Sequence, residues 1–474
     1  MSKTKSKIAD VLISRFSKKG FGIGDIPVAD GTETRKVEIA HALVGDQVRI
    51  ELRGKRKGAR KGRLLKVLTP SLYRVTPHCE HAEICGGCLW QSMSYEEQIK
   101  QKEKSVREAF ASILPTQKAL FFPMVPCDHP WQYRNKMEFS FSENRAGNRF
   151  LGLMIAHSGS YVFNVRHCHL ASGWFSKVLS NVRQWWEKTD IKAYDLSCDT
   201  GSLQTLTLRE GKRTGEKMVT LTVSAHTDYS LTASQLQSFQ KAVIEAAGDI
   251  SLFIRLKKIA KKTPTQWFEE HLYGNGCIHE ELHLSLFSKK FQYKFKISPT
   301  SFFQPNTFQA EKLYQNAIEL LSLTEEDVVY DLYCGTATLG MAVSPFVRKV
   351  IGIELNEDAV EDAKKNLSLN GISNVEMHAG DVGKVITGLM GTKDFTPPNL
   401  VIVDPPRAGL DSLATHHLKI LRPKAILYIS CNPHTQAENI FELMQAGYQV
   451  KKVQPVDQFP HTYHIENIAY LELT

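Results

Sequence analysis

The stretch Val328-Val329-Tyr330-Asp331-Leu332-Tyr333-Cys334-Gly335-Thr336-Ala337-Thr338-Leu339-Gly340 decides how this chain folds. A short apolar, β-prone run carries an acid near its end, a glycine-containing turn follows, and a helix is expected behind the turn. Strand, tight turn and helix in that order open a βαβ unit. The second strand is Val350-Ile351-Gly352-Ile353-Glu354, and its acid lies 23 residues after Asp331. Backbone N–H groups at the helix start would then lie beside a carboxylate able to take both hydroxyls of a ribose. The turn is not G-x-G-x-x-G, which weakens a nicotinamide reading. Acids at the ends of the first two strands suit S-adenosylmethionine better.

Working outward toward the C-terminus, the alternation continues. Residues 357–369 read as a helix with Ala359, Val360, Ala363 and Leu367 on one side, and residues 374–378 as a third strand followed by Gly380-Asp381. A fourth strand, 399–403, runs into Asp404-Pro405-Pro406-Arg407, where two prolines stiffen the chain and leave acid and cation facing one cleft. A fifth, 425–429, ends at Ser430-Cys431-Asn432-Pro433, with a helix at 435–446 and a closing strand at 469–473 beyond it. Ligands of open parallel sheets bind outside the carboxyl ends of the strands, so Cys431 is a candidate nucleophile. Taken alone it reads more readily as a small buried apolar residue.

Toward the N-terminus the charge is informative. The chain of 474 residues carries a net +9, and residues 1–66 hold 17 Lys/Arg against 7 Asp/Glu. The other 408 residues are balanced, 42 basic against 43 acidic, so the excess basicity sits in one small unit. Strand-length segments at 37–40, 46–52 and 62–68, punctuated by glycines, predict a small β-barrel there. Its loop Arg53-Gly54-Lys55-Arg56-Lys57-Gly58-Ala59-Arg60-Lys61 places six cations in nine residues, suited to a phosphate backbone. No stretch reaches 18 apolar residues, so no membrane span is expected. The basic start Met-Ser-Lys-Thr-Lys-Ser-Lys lacks the apolar core of a secretory signal, and a cytoplasmic protein is expected.

Nine cysteines in clustered spacing argue for metal or catalysis rather than a disulfide framework. Cys79, Cys85 and Cys88 form C-x5-C-x2-C, and Cys168, within Arg166-His167-Cys168-His169, is the candidate fourth ligand. Four thiolates suit either a [4Fe–4S] cluster or Zn²⁺, and His78, His81, His167 or His169 could replace a Cys around zinc. Residues 95–113 read as a charged helix with Ile99, Val106, Phe110 and Ile113 along one stripe, expected to dock on another domain. Residues 124–290 mix strands with helices near 174–188 and 233–246 into a central α/β region. There Trp131-Gln132-Tyr133-Arg134-Asn135-Lys136 joins two aromatics to two cations, a composition that stacks bases and holds phosphates as readily as it serves structure.

Phe303-Gln304-Pro305-Asn306, Asp331-Leu332-Tyr333-Cys334-Gly335, Asp404-Pro405-Pro406-Arg407, Ser430-Cys431-Asn432-Pro433 and Phe459-Pro460-His461-Thr462 with Glu466 resemble the RNA (uracil-5)-methyltransferase family. The likeness spans nearly the whole chain. It implies a Rossmann-like S-adenosylmethionine-dependent methyltransferase domain at 301–474, a TRAM-like (OB-like) RNA-binding barrel at 1–70 and a central domain at 71–300. It further implies methyl-donor contacts at Gln304, Tyr333, Thr338, Glu354, Asp381 and Asp404, with Cys431 as nucleophile and Glu466 as base. Cys79, Cys85, Cys88 and Cys168 match the family's [4Fe–4S] ligands. Barrel and cluster together characterise the branch acting on 23S ribosomal RNA, with tRNA as the alternative substrate. One departure is Ala337, where the family usually has glycine; its methyl disfavours positive φ, so an ordinary backbone geometry is expected.

The chemistry accounts for these residue types. Uracil C5 is a weak nucleophile until a thiolate adds to C6, and once C5 is methylated a base must remove its proton. The base must also leave the stack to be reached. Two other readings are an amino-group methyltransferase, which shares Asp-Pro-Pro but needs no cysteine, and a catalytically impaired RNA-binding or ribosome-assembly protein.

Overall fold

A computed structural model describes residues 7–27, 34–56, 59–117, 119–258 and 265–474. Its C-terminal part is built on an eight-stranded sheet in the spatial order Val375–Ala379, Lys349–Glu354, Val328–Leu332, Leu400–Val403, Ala425–Ser430, Glu466–Leu473, Tyr448–Val456 and Leu120–Phe121. The first five strands are parallel. Glu466–Leu473 runs antiparallel to both of its neighbours. Alternate residues feed two cores: Val329, Val350, Ile402, Leu427 and Ile468 lie on one side, and Tyr330, Ile351, Val401, Tyr428 and Ala469 on the other. Burial on both faces explains why these strands read as continuous apolar runs. The chain leaves Val328–Leu332 toward Val375–Ala379 and returns on its other side at Leu400–Val403, which opens a crevice at the carboxyl ends of those strands.

The helix Tyr95–Ala109 is shorter than the predicted 95–113 and packs against this sheet. Val106, with Phe110 and Ile113 just beyond the helix, joins the second of those cores. The hairpin of Ile278–Leu286 with Lys289–Ile297 sends Leu282, Leu284, Phe295 and Ile297 into the first. Its two-residue turn is Phe287-Ser288, at φ 48° and 65°. Asn-Gly is the usual residue pair for such a turn, so the sequence carries no hairpin signal here.

A seven-stranded sheet forms the middle of the chain, with strands Lys136–Glu143, Leu203–Glu210, Lys217–Ser224 and Ser251–Lys258 at its centre. Helices Gly173–Glu187 and Ala233–Ala247 cover one face, burying Phe175, Val182, Trp186 and Phe239 against Phe139, Leu206 and Leu221. At the N-terminus five strands close into a barrel: Ile8–Phe16, Gly22–Pro27, Thr34–Ile39, Gln47–Arg56 and Ala59–Thr69. Lys57 and Gly58 of the cationic loop lie outside the described residues. Part of the loop's charge is answered within the barrel, since Lys61 pairs with Glu38 at 2.5 Å and Arg53 with Glu51 at 3.6 Å. The barrel is tied to the cysteine-rich segment by Trp90, whose indole N–H donates to the Gly20 carbonyl at 2.9 Å. Among the described residues no helix is long and apolar enough to cross a membrane.

Candidate active site

Around the switch point, Glu354 accepts the Gly335 amide at 3.0 Å and the Asn356 amide at 2.9 Å, binding the second strand's acid to the turn after the first. Asp331 accepts the Gly340 amide at 2.8 Å through Oδ2, while its buried Oδ1 has no hydrogen-bond partner among the described residues. Burial pushes its carboxyl up to about 7; the Gly340 amide opposes the shift, and Asp404 and Glu354 add to it. The expectation for Ala337 is overturned. Ala337 is left-handed, at φ 59° and ψ 30°, capping the helix Thr338–Val343. Its amide closes a turn onto the Cys334 carbonyl at 2.8 Å and its own carbonyl accepts from Met341 at 2.8 Å, contacts that hold a conformation costing about 1–2 kcal/mol for an L-residue.

The remaining predicted donor contacts have partners of their own. Tyr333, also left-handed at φ 60°, donates its hydroxyl to Asp411 at 2.9 Å. Thr338 lies 3.3 Å from Thr336, hydroxyl to hydroxyl. Asp381 caps the helix Val382–Met390 by accepting the Lys384 amide at 3.1 Å. Gln304 accepts Asn135 at its backbone carbonyl at 2.8 Å, and its side-chain oxygen accepts the Gln458 side-chain amide at 3.5 Å. Sequence reasoning missed Tyr314. It is buried on the helix Thr307–Ile318 and feels Asp404, Glu466 and Asp331 together, yet within an amphipathic helix it reads as one more core residue.

Asp404, Arg407, Cys431 and Glu466 converge at the next two strand ends. The antiparallel register pairs Ser430 with Asn467, so Cys431 and Glu466 emerge side by side although 35 residues separate them. Burial is the main reason the Cys431 thiol is pushed up to about 11; Glu466 adds to it, and the positive charge of Arg407 opposes it. Burial drives the Glu466 carboxyl well above its usual range, aided by Asp404 and opposed by Arg407. Burial alone lifts Asp404 to about 7. Arg407 also lies 3.1 Å from His464 Nδ1, and burial followed by this cation lowers His464 to about 3, so a neutral imidazole accepts from the guanidinium. Asn432 and Thr435 hold the Arg407 carbonyl at 3.1 and 3.2 Å. The result is a thiol and a neutral buried acid sharing one cation, a set that can form and break a bond to carbon and carry one proton.

Elsewhere, Cys79, Cys85, Cys88 and Cys168 line one cavity of about 490 Å³, together with His81, His167, His169, Trp131 and Arg134. Burial is the first cause of the raised Cys88 thiol, and Cys85, Cys168 and Cys79 follow, so the four sulfurs sense one another. Among the described residues, no group of three or more His, Cys, Asp or Glu side chains stands arranged to hold a metal ion.

The sequence model of the family described as tRNA (Uracil-5-)-methyltransferase matches residues 94–474. A relative from Protochlamydia amoebophila, named an uncharacterized RNA methyltransferase, is 47% identical over 444 residues, covering 92% of this chain and 100% of its own. Another from Caldanaerobacter subterraneus, named in the same way, is 32% identical over 478 residues and covers 99% of each. The crystal structure of Pyrococcus abyssi tRNA (uracil-54, C5)-methyltransferase in complex with S-adenosyl-L-homocysteine shares the fold, with a TM-score of 0.71 at 24% identity over 98% of this chain and 100% of that one. With the strand order, the switch-point acids and these matches in hand, the chain belongs to the tRNA (uracil-5-)-methyltransferase family of RNA methyltransferases.

Proposed function

We propose that the protein transfers the methyl group of S-adenosylmethionine to C5 of a uridine in RNA through a covalent bond between Cys431 and C6. The observation that carries this reading is the strand pairing that brings Glu466 beside Cys431, where the charge of Arg407 also acts on the thiol. Burial holds both the Cys431 thiol and the Glu466 carboxyl protonated at rest; each releases its proton to solvent before it acts, and Arg407, which opposes both shifts, favours the two anions as the thiolate attacks C6. Addition makes C5 electron-rich and able to take the sulfonium methyl. Glu466 then removes the C5 proton, the C5–H electrons form the C5–C6 double bond, and Cys431 leaves. Arg407 holds a carbonyl oxygen or phosphate of the target nucleotide, while Gln304, Tyr333, Thr338, Glu354, Asp381 and Asp404 form the donor side, Asp404 having the uracil edge as its alternative partner. The S-adenosyl-L-homocysteine bound by the Pyrococcus abyssi protein of the same fold supports this assignment of cofactor.

Methyl transfer to C5 with Cys431 on C6 requires both faces of the ring, so the uridine is flipped out of its stack at a cost of a few kcal/mol, less in an unpaired loop. Residues 1–70 act as the RNA-binding barrel, 71–300 as the central domain and 301–474 as the methyltransferase domain. The four cysteines around one cavity have the donor chemistry for a [4Fe–4S] cluster. In this reading Cys79, Cys85, Cys88 and Cys168 hold it, and it serves structure and RNA placement rather than electron transfer. An RNA substrate and nine free cysteines suit the reducing cytoplasm. Barrel and cysteine cluster favour 23S ribosomal RNA. The tRNA reading has its own support in the family description and in the fold match over the whole chain.

The test is incubation with 23S and tRNA transcripts carrying 5-fluorouridine. With no C5 proton to remove, a methylated covalent complex accumulates on the true substrate, and 23S fragments are expected to trap the enzyme in preference to tRNA. Trapping on tRNA alone would reverse the substrate assignment, and no complex on any RNA would end the mechanism.

A further inference from the structure

The segment that delivers Glu466 is held largely from outside the methyltransferase sheet. Asp457 is fully buried, and its carboxylate takes the Lys102 ammonium at 2.6 Å and the Tyr95 hydroxyl at 2.8 Å. The same Lys102 reaches the Phe459 carbonyl at 3.0 Å. One turn earlier on that helix, Gln98 accepts the His461 amide at 2.8 Å and lies 3.3 Å from His461 Nδ1. Tyr133 donates to the Pro460 carbonyl at 3.2 Å, the Trp90 amide donates to the His461 carbonyl at 3.1 Å, and Trp131 stacks on the His461 ring at 3.9 Å. Within the methyltransferase domain, Asn306 holds Gln458 through both backbone and side chain.

Lys102 is 0% exposed, which an unpaired lysine could not sustain. A buried ion pair is a poor source of stability, since desolvating both charges offsets most of their attraction and an apolar pair packs as well. What it supplies is geometry. The segment needs such fixing, because His461 holds a left-handed backbone at φ 66°, a conformation that a non-glycine residue keeps only when its surroundings over-determine it.

We propose that Lys102, with Tyr95 and Gln98 on the same helix, is a positioning residue for the proton-removal step. It locks residues 457–461 so that Glu466 faces C5 of the methylated uridine still bound to Cys431. The inference rests on the covalent mechanism proposed above and assigns one of its steps to a helix that precedes the catalytic domain in sequence. In that step the C5 proton passes to the Glu466 carboxylate, the C5–H electron pair becomes the C5–C6 double bond, and the C6–sulfur bond breaks to return the Cys431 thiolate. A displaced Glu466 leaves addition and methyl transfer intact and stalls only this elimination.

The experiment is rapid-quench kinetics of the full-length protein on ordinary uridine RNA, comparing wild type with Lys102→Met and Tyr95→Phe, and with Glu466→Gln as the stalled reference. Both variants are expected to give a first burst of one methyl per enzyme at the wild-type rate. Later turnovers fall, by about 10²-fold for Lys102→Met, the order of loss caused by an ångström-scale misplacement. A methylated protein–RNA complex then persists on denaturing gels, with KM for RNA unchanged. A merely structural role would shrink burst and turnover together with no persistent complex, and that result overturns the inference. Where Lys102→Met yields no folded protein, Tyr95→Phe decides, since it removes one hydroxyl and no charge; Tyr95→Phe turnover within twofold of wild type overturns the proposal. If wild type traps no 5-fluorouridine RNA, the mechanism itself fails. If wild type traps it while both variants turn over without a stalled complex, only the role of Lys102 fails.

Discussion

Two cysteines occupy matching places in the same sheet. Cys334 follows the strand Val328–Leu332 and Cys431 follows Ala425–Ser430, both at the carboxyl edge where ligands bind. Burial is the first cause that raises both thiols, and nearby carboxylates raise both further, Asp331 and Glu354 at Cys334, Glu466 and Asp404 at Cys431. The difference is one cation: the charge of Arg407 opposes the shift at Cys431, whereas at Cys334 the opposing causes are backbone hydrogen bonds. A strand-end thiol is therefore common property of the fold. A nearby guanidinium charge, and an acid beside it to take a proton, are what set Cys431 apart as the proposed nucleophile.

The sharpest way to break this comparison is to exchange the two thiols' fates. Cys431→Ala is expected to lower methyl transfer by about 10⁴-fold or more, as loss of a covalent nucleophile does, and Cys334→Ser to leave turnover within a few-fold. Equal losses, measured with labelled methyl donor, would remove the distinction. Next in size is Arg407→Ala. With the thiol near 11, the thiolate fraction and hence kcat/KM climb as pH rises through the neutral range. Removing the cation should carry that rising limb to higher pH and cost about 10²-fold at pH 8, the usual order for a lost charge-stabilising contact. A pH profile of unchanged position would detach Arg407 from the sulfur.

The smallest effect concerns stability. Asp404 is raised to about 7 in the folded protein from its ordinary 3.8. Its contribution to stability is therefore full at pH below about 4 and is lost as pH rises to about 7, because the unfolded chain ionises first. Asp404→Asn removes that penalty. The difference in Tm between variant and wild type should be near zero at pH 4 and grow to a few degrees in the variant's favour by pH 8. A difference independent of pH would show that burial does not hold Asp404 neutral.

Much of the catalytic domain is legible because its signals are local. The runs around Val328, Val350, Leu400 and Ala425 are apolar on both faces, and caps such as Asn356, Asp381 and Asp411 accept the amides that start the next helices. Ala337 misleads for the opposite reason: its intrinsic preference opposes positive φ, and the turn onto Cys334 overrides it. The hairpin turned by Phe287-Ser288 is missed because packing against the sheet, not turn chemistry, holds it. Tyr314 is missed because periodicity cannot tell a core tyrosine from one that faces three carboxylates.

By itself, then, the sequence determines the βα alternation, the acids at the ends of its strands and the thiol at Cys431, all of which follow from short-range pattern and backbone preference. Only the tertiary structure decides that Glu466 stands beside that thiol and that Lys102, 355 residues before Asp457, is buried against it. Strand register and the packing of distant segments set those meetings, and no local property of either residue encodes its partner.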